Sequence, residues 1–172
     1  MGSPKAFETV KTGIGELYPR LWRYCLVLSG NRTNADDLAQ AACLRALEKA
    51  NLFEIGTHLD RWLFRLTQRL WIDEQRKQVV RTGAGLVAVE DANLVDSSLD
   101  PERAILLAEI VTSVMKLPEA QRTAVVLVYI EGYSYRDAAT ILDVPVGTIM
   151  SRLAAARSKL AAAYESRMEA KT

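Results

Sequence analysis

Apolar residues recur at three- and four-residue spacing along almost all of this chain, and the period breaks only once, over residues 81–100. That spacing lays an apolar stripe along one side of an α-helix, whereas a strand would need alternation every second residue. Strand signals are nearly absent. The break itself, RTGAGLVAVEDANLVDSSLD, holds Gly83, Gly85, an acidic cluster and the Ser97-Ser98 pair, and runs straight into Pro101. It sustains no helical period and reads as a flexible linker. The pattern therefore predicts an all-α chain of two small helical domains, residues 1–80 and 101–172, joined by a linker at 81–100. The one β-rich run, AVVLVYI, continues a helical pattern from LPEAQR, where Pro118 suits a first helical turn, and it reads as a buried helix.

In the first domain Leu17, Leu21, Tyr24 and Leu28 make one stripe that stops at SGN. Asn34 is the expected cap of the next helix, ADDLAQAACLRALEKA, with acids in its first turn and bases towards its last. After a loop containing Gly56, Asp60 is the expected cap of RWLFRLTQRLWIDEQRKQ. Leu63, Leu66 and Leu70 follow one row of that helix; Arg61, Arg65 and Arg69, four residues apart, follow another. Trp62 and Trp71 lie near this basic stripe. Basic groups interleaved with aromatics suit single-stranded nucleic acid, whose phosphates meet the charges and whose bases stack on the rings. A solvated face over core tryptophans has the same pattern, and the stripe alone leaves both readings open.

Residues 134–160 carry a sharper signal. Ser134 and Asp137 form a capping-box pattern ahead of YRDAATILD, and Asp143-Val144-Pro145 breaks the helix. The next helix turns Ile149, Leu153, Ala156 and Leu160 inward and leaves Gly147, Thr148, Ser151, Arg152 and Ala155 on the other side. Ala138-Ala139 lets the two helices approach closely. This is the pattern of a DNA-binding helix-turn-helix, with an ordinary helical hairpin as the bland alternative. Gly147 clears the helix start for a phosphate, Thr148 and Ser151 offer hydroxyl donors, and Arg152 can reach a guanine or a phosphate. Arg157 and Lys159 add backbone-directed charge.

Other chemistries find little footing. Net charge is +1, too low for a tight nonspecific DNA binder acting alone. Residues 1–80 hold 12 basic and 9 acidic side chains, 81–100 hold 1 and 4, and 101–172 hold 9 and 8, so two basic or near-neutral segments flank an acidic middle. Cys25 and Cys43 lack metal-ligand spacing and sit in apolar runs, which favours buried free thiols over a redox or zinc role. His58 has no cluster around it, and neither a Gly-rich phosphate loop nor G-x-S-x-G occurs. The expectation is no catalytic residue, no metal, no cofactor and no small-molecule substrate. With no secretory pattern at the N-terminus and no membrane-length apolar run, no membrane insertion and a cytoplasmic location are expected.

The segments NADDLAQAACLRALEKA, LDRWLFRLTQRLWIDEQRK and LPEAQRTAVVLVYIEGYSYRDAATILDVPVGTIMSRLAAARSKL together resemble a group IV, or extracytoplasmic function (ECF), bacterial sigma factor. The match runs in family order from about Leu17 to Leu160; GNRTNADDLAQ and FEIGTHLDRWLF look closest to the alphaproteobacterial general-stress type. The resemblance implies core RNA polymerase, promoter DNA and an anti-sigma factor as partners. It implies that Asp36, Asp37, Leu38 and Gln40 meet the polymerase. Arg61, Trp62, Arg65, Arg69, Trp71 and Arg76 would face the minus-ten element, and Gly147, Thr148, Ser151, Arg152 and Arg157 the minus-thirty-five element. An anti-sigma partner is expected along the apolar seams of both domains, with the acidic linker as hinge. The chain departs from the family in four places. Ala41 replaces an acid common after the DLxQ glutamine, and Arg69 replaces a common asparagine. Met150 and the Ala154-Ala155 pair stand where basic or aromatic residues are frequent. Those replacements leave fewer groups to read bases and keep open a second function, a sigma-like decoy that occupies an anti-sigma factor without transcribing.

Overall fold

A computed structural model describes residues 4–82 and 101–170, all of whose regular structure is helical. The expected linker falls almost wholly outside the described residues. The first half contains α1 (Pro4–Ser29), α2 (Arg32–Glu48), a short 3-10 turn (Ala50–Leu52) and α3 (Leu59–Thr82). The second contains α4 (Pro101–Met115), α5 (Glu119–Val125), α6 (Tyr135–Leu142) and α7 (Val146–Ala170).

The helix starts correct the sequence reading in detail. Asn31, in extended conformation, caps α2 by accepting from the Asn34 N–H at 2.8 Å, so the cap lies three residues before the expected one. Asp36 and Asp37 consequently lie in its second turn, and the first turn holds no acid. Gly30, at φ 79°, makes the reversal between α1 and α2, a backbone state that side chains disfavour. Asp60 lies inside the first turn of α3, which opens at Leu59, and Pro118 occupies the N-cap of α5. Ser134 caps α6 as the sequence pattern anticipates: its hydroxyl accepts from the Asp137 N–H at 3.1 Å and donates to the Asp137 carboxylate at 2.7 Å.

AVVLVYI is helical but not wholly buried. After Val125 the backbone widens into a π-turn over Val126–Ile130, closed by the Glu131 N–H on the Val126 carbonyl at 2.9 Å. Val126 and Leu127 stay in the core while Tyr129 and Ile130 turn to solvent.

Buried apolar residues from both halves form one contiguous core. In the first half Leu21, Tyr24, Leu28, Leu38, Ala42, Leu63 and Phe64 are its centre, with Tyr24 stacked on Phe64 at 4.8 Å between ring centroids. The Tyr24 hydroxyl donates to the Gln68 side-chain oxygen at 2.8 Å, so two buried polar groups satisfy each other. In the second half Ile141, Ile149, Leu153 and Ala156 pack against Ala138, which has no exposed surface. Cys25 is buried and Cys43 half-buried, both as free thiols. Among the described residues no single helix is long and apolar enough to cross a membrane.

The halves are docked on each other. α1 packs against α5 and α3 against α6. Buried Arg122 of α5 donates from Nε to the Val27 carbonyl and from Nη2 to the Leu28 carbonyl at 3.0 Å, a cation set on the last turn of α1 where the helix dipole is negative. Glu131, its side chain 3% exposed, receives Arg20 at 2.6 Å and Arg23 at 3.5 Å. Tyr133 lies edge-on to Phe64 and donates its hydroxyl to Asp60 at 2.7 Å.

Candidate nucleic-acid interface

The helix-turn-helix follows from three local choices. Ser134 starts α6, Asp143 ends it in the left-handed region at φ 55°, and Pro145 precedes α7. The chain bends 104° between α6 and α7, within the range of DNA-binding helix pairs. α7 turns Ile149, Leu153 and Ala156 inward and presents Gly147, Ser151 and Arg157 to solvent, with Thr148 and Arg152 half-buried beside them. A Cβ at Gly147 would meet nothing within 4 Å inside the protein, so the space it leaves opens outward. Arg157 Nη1 donates to the Tyr129 hydroxyl at 2.9 Å, which raises the guanidinium pKa and steadies it on the surface. Met150 is exposed, as are Ala154 and, in part, Ala155, so the departures from the family pattern lie on the face that looks outward.

On α3 the structure separates the residues that the sequence grouped. Arg61 and Arg65 are half-buried and Arg69 and Arg76 exposed, so the arginine stripe lies on the surface. Trp71 does not: it is 6% exposed, and its indole N–H finds no partner. Its side chain falls on the row of Leu63, Phe64, Thr67 and Gln68, which buries it in the core. Trp62 is half-buried and tilted against Phe53, with centroids 5.4 Å apart. Of the leucine row, Leu63 is buried while Leu66 and Leu70 are only partly covered.

The stripe is also engaged. Arg61 Nη1 lies 2.6 Å from an Asp137 carboxylate oxygen; Arg65 and Arg69 lie 3.6 and 3.8 Å from Asp143. Both acids belong to the helix-turn-helix. Sequence periodicity found the arginines but missed these partners, because nothing local to either segment encodes a contact across some 70 residues. Arg20, Arg122, Glu131 and Tyr133 were missed for the same reason.

The third group lies on α2. Asp36, Asp37 and Gln40 are exposed and Leu38 is 7% exposed. The Trp22 indole N–H donates to Asp36 at 2.6 Å, while the Arg32 guanidinium sits 5.4 Å above the Trp22 ring. Asp37, Leu38 and Ala41 line one wall of a cleft of about 620 Å³ whose other wall is Leu70, Trp71, Asp73, Glu74 and Lys77 of α3. A second cleft, of about 590 Å³, runs between Trp71, Ile72, Arg76, Val79 and Val80 of α3 and Glu119 of α5. Among the described residues no group of His, Cys, Asp and Glu could hold a metal.

Known proteins share this arrangement. The family model described as Sigma-70 region 2 matches residues 14–80, and Sigma-70, region 4 matches residues 107–160. A region 2 followed by a region 4 on two docked helical units is the architecture of a sigma-70-type factor. The chain is 36% identical over 160 residues to the ECF RNA polymerase sigma factor EcfG of Rhodopseudomonas palustris, covering 90% of this chain and 84% of that protein. It is 31% identical to the ECF sigma factor SigW of Bacillus subtilis, covering 82% and 81%. The chain belongs to the ECF RNA polymerase sigma factors. Among solved structures it is similar to the sigma factor RpoE of Bartonella quintana bound to the anti-sigma factor NepR, with TM-score 0.74, 29% identity, and 87% and 92% of the two chains covered. CnrH in complex with the cytosolic domain of CnrY shares the fold, with TM-score 0.65 and 20% identity over 94% of each chain.

Proposed function

We infer that the chain is a promoter-specificity subunit: it binds core RNA polymerase, directs it to stress-type promoters and is held inactive by an anti-sigma factor until needed. The observation that supports this most is the basic stripe of α3 and the helix-turn-helix of α7 standing, in sigma order, within one chain. In this reading residues 1–80 are the polymerase- and minus-ten-binding domain, 81–100 the linker and 101–172 the minus-thirty-five domain. Asp36, Asp37, Leu38 and Gln40 meet the polymerase along the α2–α3 cleft. Arg61, Arg65, Arg69 and Arg76 take the phosphates of the opened minus-ten strand, with Trp62 at their edge; Trp71 supports that face from beneath rather than by stacking on a base. Gly147, Thr148, Ser151, Arg152 and Arg157 meet the minus-thirty-five duplex. The anti-sigma factor lies along the apolar seams of both domains. Bond making belongs to the polymerase, so the chain itself is not an enzyme, and it works in the cytoplasm where the polymerase is.

Low net charge fits a subunit whose large partner makes most of the DNA contact. The test is run-off transcription with purified core polymerase on a genomic promoter library, comparing the wild type with Arg152→Ala. Discrete transcripts that weaken with Arg152→Ala are expected. Silence from the wild type, together with tight binding to an anti-sigma factor, would establish the decoy instead.

A further inference from the structure

Three of the four arginines assigned to the minus-ten strand, Arg61, Arg65 and Arg69, already lie against carboxylates of the same chain, and the recognition helix is not covered in the same way. We propose that Asp137 and Asp143 act as an internal stand-in for promoter phosphates, closing the minus-ten surface of the free protein while leaving the minus-thirty-five helix presented. The proposal rests on the reading of Arg61, Arg65 and Arg69 as the minus-ten surface.

Three observations carry it. All three ion pairs join α3 to the helix-turn-helix, at 2.6, 3.6 and 3.8 Å, and they span the stripe from its first arginine to its third. Asp143 takes two of them from a left-handed turn at φ 55°, the only non-glycine residue with positive φ among those described. Glycine would relax that turn, but only a side chain can reach the stripe. Lastly, the Asp143 pairs are partial. Arg65 Nε is buried without a hydrogen-bond partner, and the Asp143 side chain is 66% exposed. A phosphate, which offers more acceptor oxygens, can take over such an arginine.

The contacts around the closed form differ in kind. On the α1 side the anchors are buried: Arg122 on the end of α1, and Glu131 under Arg20 and Arg23. On the α3 side the pairs are part-exposed and open to screening by salt. Beyond the Tyr133–Asp60 bond, the stripe is therefore the weaker stretch of the seam, and a polyanion competes there directly.

The decisive variant is Asp137→Asn/Asp143→Asn. Asparagine tolerates the left-handed turn and still accepts from Ser134, so folding is kept while both charges go. Adding two units of net charge strengthens DNA binding everywhere, so a second variant, Glu8→Gln/Glu165→Gln, makes the same change on exposed residues outside these pairs. Each purified full-length chain is titrated with a mixed-sequence single-stranded DNA oligonucleotide, and its radius of gyration is measured by small-angle X-ray scattering. The first variant should bind about tenfold more tightly than the wild type and be more expanded, whereas the second should gain about twofold and stay compact. Equal gains in the two variants, or an unchanged affinity in the first, would overturn the proposal. Failure of the functional reading has a different signature: the latch variant opens and binds single strands, yet neither it nor the wild type supports transcription.

Discussion

Arg122 carries more structural duty than its place in a helix of the second domain foretells. Arg122→Ala leaves the Val27 and Leu28 carbonyls buried without their donors, at a cost of about 1–3 kcal/mol for each orphaned group. Urea unfolding of the variant should show the loss directly. Burial pushes the guanidinium pKa below its usual value, with Glu119 acting the other way, so the group is held by its hydrogen bonds and not by comfort in its surroundings. Burial also raises the pKa of the Cys25 thiol, with smaller help from Cys43, and that of Cys43 by burial alone. Thiolate is the reactive form, so alkylation of the native protein at mildly alkaline pH should reach Cys43 first and Cys25 only in denaturant. Tyr133 is raised as well, by burial and then by its bond to Asp60, and Tyr24 by burial. The native state thus holds these phenolic protons more tightly than the unfolded chain. Their contribution is complete below the ordinary tyrosine range near about 10 and drains away as pH rises through and beyond it. Thermal midpoints measured across that range should fall, and Tyr133→Phe should fall less steeply.

At the scale of the element, helices were legible where an apolar period runs between punctuation marks. The Ser134 cap, the Asp143 break and the inward row of α7 could all be read from spacing. Ser134→Ala should cost about 1 kcal/mol in thermal or urea unfolding, since it removes the acceptor for a helix-start N–H. Leu153→Ala, which empties a fully buried position between α7 and its neighbours, should cost about 2–5 kcal/mol in urea unfolding. The start of α2 was less legible because two asparagines compete for the cap. Asn34 stands just before an acidic pair that imitates a first turn, but Gly30 reverses the chain earlier and makes Asn31 the residue in extended conformation. Trp71 was misplaced for a related reason. Four-residue arginine spacing marks one row clearly, but it does not tell on which side of that row a neighbouring indole falls.

The whole molecule is where sequence said least. The two helical domains and the helix-turn-helix could be read from the chain, but their docking could not, because its contacts pair residues as far apart as Arg20 and Glu131. Arg20 and Glu131 look like ordinary surface charges until α1 meets the turn after α5. Glu131→Gln should weaken that meeting while sparing each domain, and scattering profiles should show a more expanded chain at moderate salt. Raising ionic strength should expand the wild type before it unfolds either half.

All three tryptophans belong to the first domain, and one of them, Trp71, borders the cleft whose far wall includes Glu119 of the second. The indole is buried on the side of its own domain and faces the second across that cleft. Parting of the domains would hydrate it and move its ultraviolet emission to longer wavelength, so the protein bears a native optical gauge of its own closure. Polymerase, DNA or an anti-sigma factor could each be added to the unlabelled chain, with Trp71→Phe as the blank, and the colour of the emitted light would tell which of them pulls the halves apart.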